Sequence, residues 1–267
     1  MRKLLDCAVE AARAGGQELV ARRADMGAVR SKGWATDFVT EADLASGVAC
    51  AQAIVERLPH ARFVIEEDEV YDLAGVQRGT LDDEEVWIID PLDGTTSYLH
   101  GYPTYSVSVA CVRSGQPVAG AVYNAALGEM NAAAIGLGAT RDDISLAVSN
   151  APSVRDALLI TGFPYDRGAP LDRQLLVLAA FLRAPVHGIR RDGSAAIDCC
   201  HVAGSRADGF WEFYLKPWDT AAGVIILRES GALVTDAHGA PWTTHSESMC
   251  CANPALHAQM LSVIANA

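Results

Sequence analysis

The run Trp87-Ile88-Ile89-Asp90-Pro91-Leu92-Asp93-Gly94-Thr95-Thr96 constrains this chain more than any other stretch. Its apolar front end reads as a buried strand, and that strand drives directly into two carboxylates three residues apart. Pro91 removes a backbone donor and Gly94 permits a sharp turn, so both acids can face one point together with the Leu92 carbonyl. Oxygen donors of this kind suit a hard cation such as Mg²⁺, which is held by a few carboxylates plus substrate phosphate. On its own the motif would be read as an Asx turn closing a strand.

Other acids shift that reading. Glu66-Glu67-Asp68 follows directly on the β-prone Phe63-Val64-Ile65, so a second strand also ends in carboxylates, although alone this would be a solvated charge run. Asp219 opens a helix behind Trp218, where the plain reading is an N-cap. Asp43 stands three residues after Thr40, the spacing of a capping box.

The rest of the chain predicts how these segments are carried. Leu4, Leu5, Ala8, Val9, Ala12, Leu19 and Val20 fall near helical spacing over residues 3–22, and a second helix runs from Thr40 through Leu58 to the stop at Pro59. Residues 66–85, acidic and rich in turn formers, read as a mobile loop. Tyr105–Val112, Pro117–Tyr123 and Glu129–Ala134 are β-prone runs split by Ser114-Gly115 and Leu127-Gly128, which predicts a hairpin-connected antiparallel sheet. From about residue 145 strands and helices alternate, ending in a helix capped by Asn253. The first half is therefore α+β and the second α/β. With no linker or repeat between them, residues 1–144 and 145–267 are expected to be lobes of one compact unit.

Charge and cysteine usage narrow the partners. The balance is 21 Lys+Arg against 33 Asp+Glu, a net −12 without a basic cluster, which disfavours nucleic acid and anionic membranes. An anionic substrate would then need a local cation, for which a divalent metal is the usual candidate. The seven cysteines show no CxxC or zinc spacing, and Asp6 and Glu10 interrupt what would be a signal-peptide core. The longest uncharged stretch, Gly94–Val112, is too polar to span a membrane. A reducing cytoplasm is the expected location.

Taken together, DPLDGTT, the preceding VIEED, WDTAAGVIILRESGALVTD and KGWATDFVTEADL resemble the signature blocks of the inositol monophosphatase family of Mg²⁺-dependent, lithium-sensitive phosphatases. Four separated blocks agree in order and approximate spacing, and the resemblance covers nearly the whole chain. It implies a layered αβαβα sandwich. It also implies that Glu66, Asp90 and the Leu92 carbonyl hold one metal, that Asp90, Asp93 and Asp219 hold a second, and that Glu66 faces a third. By the same resemblance Thr95 pairs with Asp43 to orient the attacking water, and Lys32 belongs to a mobile loop. Asp93, Gly94, Thr95, Gly193, Ser194, Ala195, Glu212 and Asp219 are expected around the substrate, with Glu212 among the contacts to inositol hydroxyls.

The resemblance makes the chain a phosphomonoesterase of a small polyol phosphate, with inositol 1-phosphate as the first reading. Fructose 1,6-bisphosphate, 3′-phosphoadenosine 5′-phosphate and histidinol phosphate are alternatives with the same chemistry. Asp192 departs from the family pattern by adding an acid beside the substrate region, which would favour a basic substrate such as histidinol phosphate. A homodimer is expected. The alternative of another class is a non-catalytic regulatory or binding protein, since some members of the family are associated with RNA-polymerase regulation.

Overall fold

Thr40 starts the second helix by a reciprocal device. Its hydroxyl accepts from the Ala42 amide at 3.1 Å and the Asp43 amide at 3.4 Å, while its own amide donates to Asp43 Oδ2 at 2.9 Å. The capping box expected from the sequence is thus formed. In the computed structural model, which describes residues 1–24, 29–31 and 38–267, this helix packs on the first one. Lys32 lies outside the described residues.

In chain order the elements begin with α1 (Arg2–Arg22), β1 (Val29–Ser31), β2 (Phe38–Thr40), α2 (Glu41–Arg57), β3 (Arg62–Ile65), α3 (Glu69–Ala74), β4 (Gln77–Arg78) and β5 (Glu85–Asp93). Then come α4 (Thr95–His100), β6 (Ser106–Arg113), β7 (Gln116–Asn124), β8 (Glu129–Ala134), β9 (Gly138–Arg141) and β10 (Ile144–Ser145). The remainder supplies β11 (Leu158–Thr161), α5 (Ala169–Arg183), β12 (Gly188–Arg190), α6 (Ala195–Ala203), β13 (Gly209–Phe213), α7 (Pro217–Glu229), β14 (Leu233–Thr235), β15 (Ser248–Ala252) and α8 (Pro254–Ala265). Beside the short β1–β2 pair, an eight-stranded sheet runs in the order β10-β9-β8-β7-β6-β5-β3-β4 and a five-stranded one in the order β12-β11-β13-β15-β14.

Period-2 alternation along the strands sorts the apolar residues into layers. Trp87 and Ile89 of β5 join a core with α1 and α2 on one face of the large sheet, whereas Val86 and Ile88 face α6 and α7. Those two helices also meet Phe210 and Cys251 of the small sheet, whose opposite face packs Trp211 and Cys250 against α5 and α8. The result is the mixed αβαβα sandwich that the resemblance implied.

Three expectations need correction. Residues 66–85 are not simply a loop: Val70 and Tyr71 are buried, α3 forms around them, and β4 adds an edge to the sheet. The strand ending in the two acids extends through Asp93 itself. Asp219 is the third residue of α7 rather than the residue before it, and it caps by accepting from the Lys216 amide at 2.7 Å. The hairpin-connected antiparallel sheet is present as β5–β8, continued by β9 and β10, two strands too short to stand out by pattern. Among the described residues no helix is long and apolar enough to cross a membrane.

Candidate active site

Two strand ends bring the carboxylates together. β3 and β5 run parallel with Ile65 beside Ile89, and the Glu66 amide donates to the Ile89 carbonyl at 3.2 Å, which sets Glu66 next to Asp90. On the other edge of β5, Asp90 pairs with Ser108 but Asp93 pairs with Ser106, so Pro91 and Leu92 bulge out of register. Such a bulge re-aims side chains at a sheet rim. Here the Leu92 amide donates to Asp90 Oδ1 at 3.0 Å, and the Ser46 hydroxyl donates to the Pro91 carbonyl at 2.7 Å.

Gly94 completes the turn with φ +93°, and no other residue would fit. A Cβ there would stand 2.9 Å from the Thr104 carbonyl and 3.0 Å from that of Gly193. Immediately after it, Thr95 opens α4, a helix not expected from the sequence, and its hydroxyl lies 3.4 Å from Asp43 Oδ1 and 3.2 Å from the Leu92 carbonyl. The Leu92 carbonyl, expected as a cation ligand, is therefore an alternative to Asp43 as acceptor for the single Thr95 hydroxyl proton.

The second half of the chain closes the site through helix N-termini. Ser194 caps α6, and Asp93 Oδ2 accepts from the Ser194 hydroxyl at 2.7 Å and the Ala196 amide at 2.8 Å. Ser108, opposite Asp90, donates to the Trp218 carbonyl at 3.1 Å and so draws the start of α7, with Asp219, toward β5. Glu212 reaches the site from β13. A Cβ at Gly162 would overlap its carboxylate, so the end of β11 is held against it by the absence of a side chain.

These groups line one cavity of about 540 Å³, the size of a small-molecule site. Every substrate residue expected from the sequence lies on its wall: Asp93, Gly94, Thr95, Gly193, Ser194, Ala195, Glu212 and Asp219, together with Glu66, Asp90 and Leu92. Asp43 is buried, is not among the lining residues, and meets Thr95 of the cavity wall. Asp192 is not part of the lining, whereas Arg191 is, so the charge that the cavity gains at this bend is positive. Sequence reading also missed Asp198, Phe163 and Tyr165. For Asp198 a signal existed: it is the single charged residue in the run Ala195-Ala196-Ile197-Asp198-Cys199-Cys200.

Burial and neighbouring charge raise the pKa of Asp90, Asp93, Asp219 and Glu212. Burial pushes Asp90 well up, and Glu66, Asp93 and Asp219 add repulsion; a hydrogen bond in which protonated Asp90 donates to Glu66 acts in the same direction. Asp93 is pushed up to about 6 by burial, against which the Ser194 and Ala196 donors work, while Glu66 adds to the rise. Asp219 rises through burial and the proximity of Asp93 and Glu66, opposed by the Lys216 amide. Burial and Asp93 carry Glu212 to about 8, with Arg191 opposing.

A cluster so short of positive charge fits a hard cation, because its donors are all oxygens and their mutual repulsion disappears when a divalent ion stands between them. Among the described residues no three acidic, imidazole or thiol groups already close around an ion position. Among the described residues Asp93 and Asp219 each commit Oδ2 to protein donors, and Oδ1 of neither takes one.

The whole chain, residues 1–267, matches the inositol monophosphatase family. The chain belongs to that family. An inositol-1-monophosphatase of Synechocystis is 36% identical over 98% of this chain and 88% of its own. SuhB of Neisseria meningitidis serogroup A, whose name marks it as a candidate Nus factor, is 38% identical over 99% of this chain and 98% of its own. Among solved structures, the extragenic suppressor protein SuhB of Bartonella henselae superposes with a TM-score of 0.88 at 33% identity, covering 98% of both chains. Family relatives thus carry both phosphatase and Nus-factor names.

Proposed function

We propose that the protein is a Mg²⁺-dependent phosphomonoesterase of a small polyol phosphate, with inositol 1-phosphate as the substrate. The observation that carries this reading is the convergence of Glu66, Asp90, Asp93 and Asp219, beside the Thr95–Asp43 contact, in a cavity whose wall also bears Glu212. Glu66, Asp90 and the Leu92 carbonyl would hold one cation, and Asp90, Asp93 and Asp219 a second, with a third facing Glu66. Cations held there would supply charge neutralisation for the phosphate oxygens and the departing alkoxide.

The chain's own residues do the positioning. Thr95 donates its proton toward Asp43, which leaves its oxygen lone pairs to accept from the attacking water and orient it at phosphorus. Its 3.4 Å separation from Asp43 is long for a hydrogen bond and of the kind that tightens when substrate is bound. In-line transfer to water asks for alignment and charge neutralisation more than covalent help. Glu212 accepts from hydroxyls of the alcohol part, and the Ser194–Ala196 turn is kept in place by Asp93. Carboxylates and backbone groups together can read several hydroxyls of a polyol.

A second reading is favoured by the SuhB relative: a regulatory role in which the cavity is not used. One experiment separates the two. Phosphate release is measured from inositol 1-phosphate, fructose 1,6-bisphosphate, 3′-phosphoadenosine 5′-phosphate and histidinol phosphate, each with Mg²⁺ and with chelator. Mg²⁺-dependent release greatest with inositol 1-phosphate supports the phosphatase reading, and no release from any of them by folded protein supports the regulatory one. Preference for histidinol phosphate would overturn the polyol assignment while leaving the chemistry.

A further inference from the structure

Asp198 lies in the first turns of α6, four residues after the capping Ser194, with 1% of its surface exposed. Buried acids are ordinarily paired or hydrogen-bonded. Among the described residues Oδ1 is enclosed with no hydrogen-bond partner, which leaves Oδ2 as the oxygen that can face the cavity. The residue nevertheless belongs to the wall of the active-site cavity, alongside Glu212 and Arg191. A carboxyl that the protein leaves unpartnered, at the edge of a cavity, takes its partner from what enters the cavity.

The surroundings decide which partner fits. Burial opposes the charge of Asp198, Glu212, Asp192 and Asp93 add repulsion, and only Arg191 works the other way. A neutral carboxyl both donates and accepts, and a hydroxyl offers the same pair of functions. An ammonium group would meet the Arg191 guanidinium on the same wall. We infer that Asp198 is a specificity-determining residue that takes a hydroxyl of the substrate's alcohol part, next to the one read by Glu212. This rests on the polyol-phosphate reading above and adds a residue to it. A purely structural acid at this place would have a protein donor against it.

The test uses the full chain with Asp198→Leu and Asp198→Asn, measuring kcat and KM for inositol 1-phosphate and for 4-nitrophenyl phosphate, and the thermal midpoint without ligand. Asp198→Leu is expected to raise KM for inositol 1-phosphate about five- to tenfold, the loss of one hydrogen bond to a buried polar group. It should leave the aryl phosphate within about twofold, and leave the midpoint equal or higher because an unpartnered buried acid is gone. Asp198→Asn, which keeps a donor and an acceptor, should recover most of the loss. Equal effects on both substrates, no effect on either, or a lowered midpoint with matching losses overturns the inference. If the wild-type chain cleaves the aryl ester but not inositol 1-phosphate, the polyol reading fails and takes this inference with it. If it cleaves both and Asp198→Leu leaves their ratio unchanged, only the role of Asp198 falls.

Discussion

Thr95 and Asp43, 52 residues apart in the chain, meet at 3.4 Å between the start of α4 and the first turn of α2. The other oxygen of Asp43 is already committed to the Thr40 amide, so the carboxylate is fixed by its helix cap before Thr95 meets it. In the proposed reaction the hydroxyl aligns water rather than substrate. Thr95→Ala should therefore lower kcat by about 10²-fold or more, with KM changing less than about threefold. Thr95→Ser, which keeps the hydroxyl, should retain at least about tenfold more activity than Thr95→Ala. Steady-state kinetics on inositol 1-phosphate decide this, and equal changes in KM and kcat would remove the assignment.

Asp90 gives a prediction that needs no turnover. It is buried among Glu66, Asp93 and Asp219, which push its pKa upward together with burial itself. Without metal, Asp90→Asn relieves that repulsion and should leave the thermal midpoint equal or higher. With Mg²⁺ the order should reverse: wild-type protein gains about 2.7 kcal/mol at a hundredfold excess over Kd, and the variant gains much less. Thermal melts in chelator and in Mg²⁺ supply all four values. An equal Mg²⁺ response in both proteins would place the cation elsewhere.

Much of this site was legible in the chain because it is written locally. The Asp90–Thr95 run, the Thr40–Asp43 box and the strand ahead of Glu66 each encode their geometry within a few residues, and each formed. What was not legible depends on distant partners. The apolar run around Asp198 marks a buried acid, but that its Oδ1 meets no donor among the described residues follows from the packing of α6 against β13 and the large sheet. Asp192 is a related case: at the bend before Gly193, with φ +93°, Arg191 rather than Asp192 joins the cavity wall, and Asp192 acts on Asp198 from outside the lining. α3 lay hidden beneath its acids because only Val70 and Tyr71 carry its buried face.

Glu212 tests the alcohol end. Its carboxyl stands on the cavity wall against Gly162, where a substrate hydroxyl would find an acceptor. Glu212→Gln should raise KM for inositol 1-phosphate about three- to tenfold, in line with about 0.5–1.5 kcal/mol for a hydrogen bond. Inhibition by inorganic phosphate and hydrolysis of 4-nitrophenyl phosphate should stay within about twofold, because neither presents hydroxyls to read. Parallel losses on all three ligands would mean that Glu212 serves the phosphate end instead.

Far from the cavity, His257 links stability to pH. It is buried on α8 with Nε2 3.0 Å from the Thr235 hydroxyl, and burial lowers its pKa from the ordinary 6.5, partly offset by the Cys250 backbone. Between the lowered folded value and 6.5 the unfolded chain binds a proton that the native protein does not, so stability rises with pH across that window. The contribution is complete above 6.5 and is lost as pH falls below it, by at most about 1.4 kcal/mol per pH unit for this one group. His257→Gln keeps polar atoms that can meet Thr235 and removes the titration. Its stability deficit relative to wild type, read from denaturant melts, should therefore be greatest near pH 8 and shrink toward pH 5.5. The acids of the cavity titrate in both proteins and cancel in the difference. A deficit independent of pH would show that His257 takes up its proton equally in the folded and unfolded chain.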